Sequence, residues 1–61
     1  MTTLTTAIMS WAIATGETPK TITREIDEVI KEIVRENPHD ENYRALAQEW
    51  EEMRRKEGIT L

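Results

Sequence analysis

Apolar side chains recur through the second half of this chain at helical spacing. Ile22, Ile26, Val29, Ile30 and Ile33 follow one another at i, i+4, i+7, i+8 and i+11, while Arg24, Asp27, Glu28, Lys31, Glu32 and Arg35 fill the positions between them. That is one apolar stripe with a charged outside, the pattern of an amphipathic helix. Asp27 and Lys31 read as an i,i+4 ion pair on the outer face. Thr18-Pro19 supplies an N-cap and a proline at the first helical position, where its missing N–H costs nothing. Asn37-Pro38 ends the helix, because the residue before a proline is pushed out of the α region. Tyr43, Leu46, Ala47, Trp50 and Met53 form a second stripe, with Asp40 placed to cap it and Gly58 just past its end. Ile59 is expected to fold back as the apolar contact of that glycine cap.

The first sixteen residues follow a different pattern, since Met1 through Gly16 carry no charged side chain. Thr2 or Thr3 can cap a helix that ends where Gly16 supplies a left-handed C-cap. At about 100° per residue, Ile8, Trp11 and Thr15 fall within about 40° of Leu4, and the four are expected to face the core. Trp50 is expected there too, with Leu46 and Met53. Met9 and Ile13 fall nearly opposite, with Thr2, Thr6 and Ser10 beside them. The predicted elements are helices over about 3–15, 19–36 and 40–57, joined by connections short enough to make neighbours antiparallel. The expected architecture is one all-α domain over residues 1–61, an up-down-up three-helix bundle.

Size sharpens this picture. A chain of 61 residues buries only about 60% of the surface its unfolded form exposes. With no cysteine and one histidine, disulfide and metal staples are excluded, which leaves close helix packing or self-association. A net charge of -4 argues against nucleic acid, which needs a clustered basic face. The one basic run, Arg54-Arg55-Lys56, is placed where the helix dipole favours cations. The N-terminal apolar stretch is too short for a membrane span and lacks the basic flank of a signal peptide. A soluble protein is expected, cytoplasmic if natural, without a membrane partner.

The chain offers little chemistry. His39 and Asp40 are adjacent in a turn, but neighbours at a helix start point apart, and no serine or cysteine nucleophile is positioned near them. His39, Asp40 and Glu41 lack the spacing of a zinc site. The carboxylates of Glu51 and Glu52 splay about 100° apart on a helix and cannot share a proton. Gly16 and Gly58 each stand alone, so no phosphate-cradling loop is encoded. No catalytic residue, metal, cofactor or small-molecule substrate is expected.

What remains is a surface. Elsewhere the outward helix faces are crowded with Glu, Lys and Arg, whereas Met9 and Ile13, ringed by Thr2, Thr6 and Ser10, have the composition of an interface centre: depleted of charge, cheap to desolvate, with an adaptable methionine. These five residues are the candidate partner-binding set, and a protein is the expected partner. The competing expectation is that a short first helix lies across the other two and buries both faces. Two further readings stay open. Two copies of the chain could pair through the same face, or a natural acidic inhibitor of phage or plasmid type could bind through its Glu-rich faces with strong salt dependence.

The string from Glu36-Asn37-Pro38-His39-Asp40 through Trp50-Glu51-Glu52-Met53 to Gly58-Ile59 resembles computationally designed three-helix mini-proteins of the binder class. The resemblance spans Thr18 to Ile59 and rests on capped helices, minimal turns, dense Glu/Arg/Lys surfaces and absent cysteine. It implies that the helix departing from the charged pattern faces the target, which here is the first, with Met9 and Ile13 as contacts. The threonine-rich first helix and His39 in a turn depart from that style. Ala47-Gln48-Glu49-Trp50-Glu51 is similar to the middle of a Ser-Gln-Glu-Leu-Asp signature in small bacterial helical hairpins that act on signalling proteins. The positions that would carry activity are replaced by Ala47, Trp50 and Glu51.

Overall fold

The computed structural model describes residues 3–61. Its helices are α1, Leu4–Thr15, α2, Pro19–Glu36, and α3, Glu41–Glu57. Each packs against both others, so the chain is a small all-α three-helix bundle. The helix ends fall where the local chemistry puts them. The Thr3 hydroxyl accepts the Thr6 amide at 3.1 Å, and the Thr18 hydroxyl accepts the Thr21 amide at 3.2 Å. The Asp40 carboxylate accepts the amides of Asn42 and Tyr43 at 2.9 and 3.4 Å. Gly16 and Gly58 sit at φ 77 and 70, a region that strains L side chains. Beyond Gly58 the Ile59 amide returns to the Arg54 carbonyl at 2.8 Å, and Ile59 packs on the core, as expected of a glycine cap with its apolar contact.

The core is thin and mixed. Ile8 and Ala12 of α1, Ile22 of α2 and Trp50 of α3 are its buried apolar residues among those described, with Leu4, Ile26, Ile30 and Ile59 packed around them. The inward stripe of α1 is therefore Leu4, Ile8 and Ala12, at i, i+4 and i+8. Trp11 was expected inside and is instead 52% exposed. Alanine at the contact lets the α1 backbone close on Ile22 and Trp50, where an indole would hold the helices apart. Thr15, also expected inside, is exposed, and its hydroxyl donates to the Trp11 carbonyl at 2.9 Å. Val29, Tyr43, Leu46 and Met53 belong to the predicted stripes yet remain partly in solvent. At about 1.5 Å per residue, α1 is about 18 Å long against about 27 Å for α2. It cannot cover the whole hairpin that α2 and α3 form. The radius of gyration, 12.2 Å, exceeds the roughly 10.5 Å of a compact domain of this length.

Two polar ties hold the helices in place. Asp27, expected on the outer face, is 4% exposed. It accepts the Trp50 indole N–H at 3.0 Å and the Lys31 ammonium at 2.9 Å, with an Arg54 guanidinium nitrogen at 4.0 Å. The carboxylate is buried because it serves α3 as well as its own helix. The second tie is Glu57, whose carboxylate accepts the Leu4 and Thr5 amides at 3.1 and 3.0 Å. These are orphan donors of the first turn of α1, a turn with no acidic residue of its own, so the end of α3 supplies the anion that the α1 dipole favours. The carboxyl of Glu57 lies below its usual 4.5 because the Thr5 amide, with the Thr5 hydroxyl and the Leu4 amide, outweighs its loss of solvent.

Burial pushes the Asp27 carboxyl up, but hydrogen bonds from Lys31 and Trp50 and the charges of Lys31 and Arg54 outweigh it, leaving the pKa below the usual 3.8. A carboxyl depressed in the folded state contributes stability above its unfolded pKa of about 3.9 and loses it as pH falls through the folded value. Urea unfolding of the parent beside Asp27→Asn is expected to show an advantage of about 1–3 kcal/mol for the parent at neutral pH, shrinking below about pH 4. An advantage that stays constant into acid contradicts this role for Asp27.

Candidate functional site

Because α1 spends one narrow stripe, Leu4, Ile8 and Ala12, on the core, the remainder of its surface is available. Thr6, Met9, Ser10 and Ile13, four of the five residues expected to bind a partner, are all exposed, Ile13 at 82%. The fifth, Thr2, lies outside the described residues. The expectation that α1 buries both faces is not met. Met9 and Ile13 come together with Ala12, Gly16, Glu17 and Pro19 around a shallow depression of about 260 Å³. Met9 also borders a second depression, of about 240 Å³, formed with Thr5, Pro19, Lys20 and Ile59. The helical repeat places Thr6 and Ser10 on the same outward side. The Thr6 hydroxyl is held by Thr3 at 2.9 Å, so Thr6 offers chiefly its methyl group and its small size.

Sequence reasoning missed the other flank of α1. Trp11 points away from Met9 and, with Ile22, Glu25, Ile26, Val29 and Ile30, lines a groove of about 470 Å³ between α1 and α2. The signal that could have found it is the small size of Ala12: with alanine taken as the contact point, Trp11 rotates to the edge of α1.

The residues weighed for chemistry do not assemble. His39 is exposed in the α2–α3 turn, and the Asp40 carboxylate is occupied as the α3 cap. Among the described residues no three His, Asp or Glu side chains converge to hold a metal ion. The cluster of buried Asp27 and Trp50 with half-buried Arg54 engages its carboxylate in internal contacts, with the Trp50 indole and the Lys31 ammonium. The Arg54 guanidinium lies 5.8 Å from the Trp50 ring centroid, within cation–π reach. Among the described residues, no helix is long and apolar enough to cross a membrane.

No protein-family model, curated protein sequence or solved structure matches the chain.

The two tryptophans test that geometry separately. Trp11→Phe is expected to remove the red-shifted, acrylamide-quenchable emission with little loss of stability. Trp50→Phe removes the blue-shifted component and costs about 1–3 kcal/mol, because Asp27 loses a buried donor. Steady-state quenching and thermal unfolding check both. Equal quenching of the two tryptophans contradicts the packing of α1.

Proposed function

We infer that this chain is a non-catalytic protein-binding module that presents the uncharged outer face of α1 to a hydrophobic patch or groove on a protein partner. The observation that carries the reading is the exposure of Ile13 and Met9 on a helix without a single charge, in a chain whose other two helices are densely charged. Recognition is of the helix-in-groove kind, with Met9 and Ile13 as anchors at i, i+4 and with Thr6 and Ser10 small enough to admit close approach. Thr2 completes the expected set. Removing such side chains from water supplies about 1.5–3 kcal/mol each when burial is complete, and the absence of charge keeps the desolvation cost low. The resemblance to designed mini-binders supports the same reading, since members of that class also place their odd, uncharged face on the target. Pairing of two copies through the same face is the alternative, and it would add buried apolar area to a thin core.

The test compares Ile13→Glu with the parent in thermal unfolding at low and high protein concentration, and in panning of a phage-displayed library of helical peptides. The reading expects equal melting at both concentrations and peptides that bind the parent but not Ile13→Glu. A parent melting temperature that rises with concentration assigns the face to self-association. A large loss of stability in Ile13→Glu, independent of concentration, places Ile13 in the core and removes the proposed surface.

A further inference from the structure

We propose that the groove between α1 and α2 is a second binding site, separate from the Met9–Ile13 face, and that its occupant is a cationic amphipathic helix. Three observations converge on this. The first is shape. Because α1 is shorter than α2, the flank of α2 running from Ile22 to Ile30 is roofed by α1 only in part, and it forms an open groove with Trp11. From Ile22 to Ile30 the flank is about 12 Å long, or just over two helical turns.

The second is composition. The groove walls are Trp11, Ile22, Ile26, Val29 and Ile30, with Glu25 the one charged residue among them. Trp11 and Val29 are 52% and 54% exposed, so both walls of the groove present apolar surface to solvent. Leu46, Met53 and Glu57 stand at i, i+7 and i+11 of α3. Since Glu57 reaches the first turn of α1, the helical repeat puts Leu46 and Met53 on the α1 side of α3 as well, and both are exposed. All three helices thus contribute apolar surface on the side where one more helix would pack.

The third is charge, and it selects the occupant. Glu25, Glu28, Glu32 and Glu36 stand at i, i+3, i+7 and i+11 and form a stripe along α2 next to Ile22, Val29 and Ile33. Lys20 and Lys31 fall on the opposite border of α2, beyond Asp27, while Arg24 and Arg35 lie on the back of the helix, next to Glu28. Among the described residues the ion pairs are those of Asp27 with Lys31 and Arg54, so the glutamate stripe has no cationic partner there. α1 contributes no charge to offset it. A helix with an apolar stripe bordered by Lys or Arg matches this groove in both shape and sign. A second copy of this chain matches it poorly, because it brings another glutamate stripe and a net charge of -4.

The probe is a synthetic, tryptophan-free Leu/Lys peptide with leucines at i, i+3, i+4 and i+7, titrated into the protein while the emission of the exposed Trp11 is followed. A saturable blue shift is expected, weakening as salt is raised. Val29→Asp, on an exposed groove position, is expected to weaken binding about tenfold or more, whereas Ile13→Glu on the other flank leaves it unchanged. Circular dichroism melts establish that Val29→Asp is folded. Where it is not, the double variant Glu25→Lys/Glu32→Lys, which alters no core residue, is expected to weaken binding and flatten its salt dependence. Equal binding by a Leu/Glu peptide of the same pattern, or by a scrambled Leu/Lys peptide, overturns the proposal, as does binding unaffected by either groove variant. A blue shift that grows with protein concentration in the absence of peptide also overturns it, and assigns the groove to a second copy.

Discussion

The bond from the Trp50 indole to the Asp27 carboxylate is the constraint on which the rest of the molecule depends. It joins the middle of α2 to the second half of α3 through groups that have left water, so a slip in register between the two helices would strand a buried donor and a buried charge. With that register fixed, Ile22 and Trp50 form the apolar floor that receives α1. The floor is small. It accepts Ile8 and Ala12, with Leu4 at its edge, and the carboxylate of Glu57 adds the polar tie that locates the start of α1.

This economy explains the surface. A helix docked along one narrow stripe leaves most of its circumference outside, and in α1 that circumference carries no charge. The arrangement produces two apolar flanks of different character. One, around Met9 and Ile13, is bordered by small hydroxyl side chains and by the Pro19 end of α2. The other, around Trp11 and Val29, is bordered by the glutamates of α2. An ordinary surface helix would cover such flanks with lysine and glutamate stems. Their absence here is a feature of sequence for which core packing gives no reason, since neither Met9 nor Ile13 is buried.

Much of the fold is legible in the sequence because its signals are local. Thr18-Pro19, Asn37-Pro38, Asp40 and the two glycines fix the helix ends within one turn of chain, so the boundaries follow without tertiary information. The exposure of Met9 and Ile13 was legible by contrast with the charged helices. Trp11 and Asp27 were not, because the azimuth at which a helix meets its neighbours is set by what the neighbours present. The true inward direction of α1 differs by only about 30° from that of the stripe Leu4, Ile8, Trp11 and Thr15, and this small rotation exchanges Trp11 for Ala12. Asp27 reads as surface in its own helix because its indole partner is 23 residues away. The Glu57 cap is likewise invisible to any local rule, lying 53 residues from Leu4.

The central claim is that α1 is docked by Ile8 and Ala12 with Ile13 facing solvent. Paramagnetic relaxation by an inert soluble gadolinium chelate measures it directly, read at the isoleucine and methionine methyl groups in a dilute and a concentrated sample. The account predicts strong broadening of the Ile13 and Met9 methyls and protection of those of Ile8 and Ile22, unchanged between the two samples. Protection of Ile13 equal to that of Ile22 in the dilute sample would contradict it.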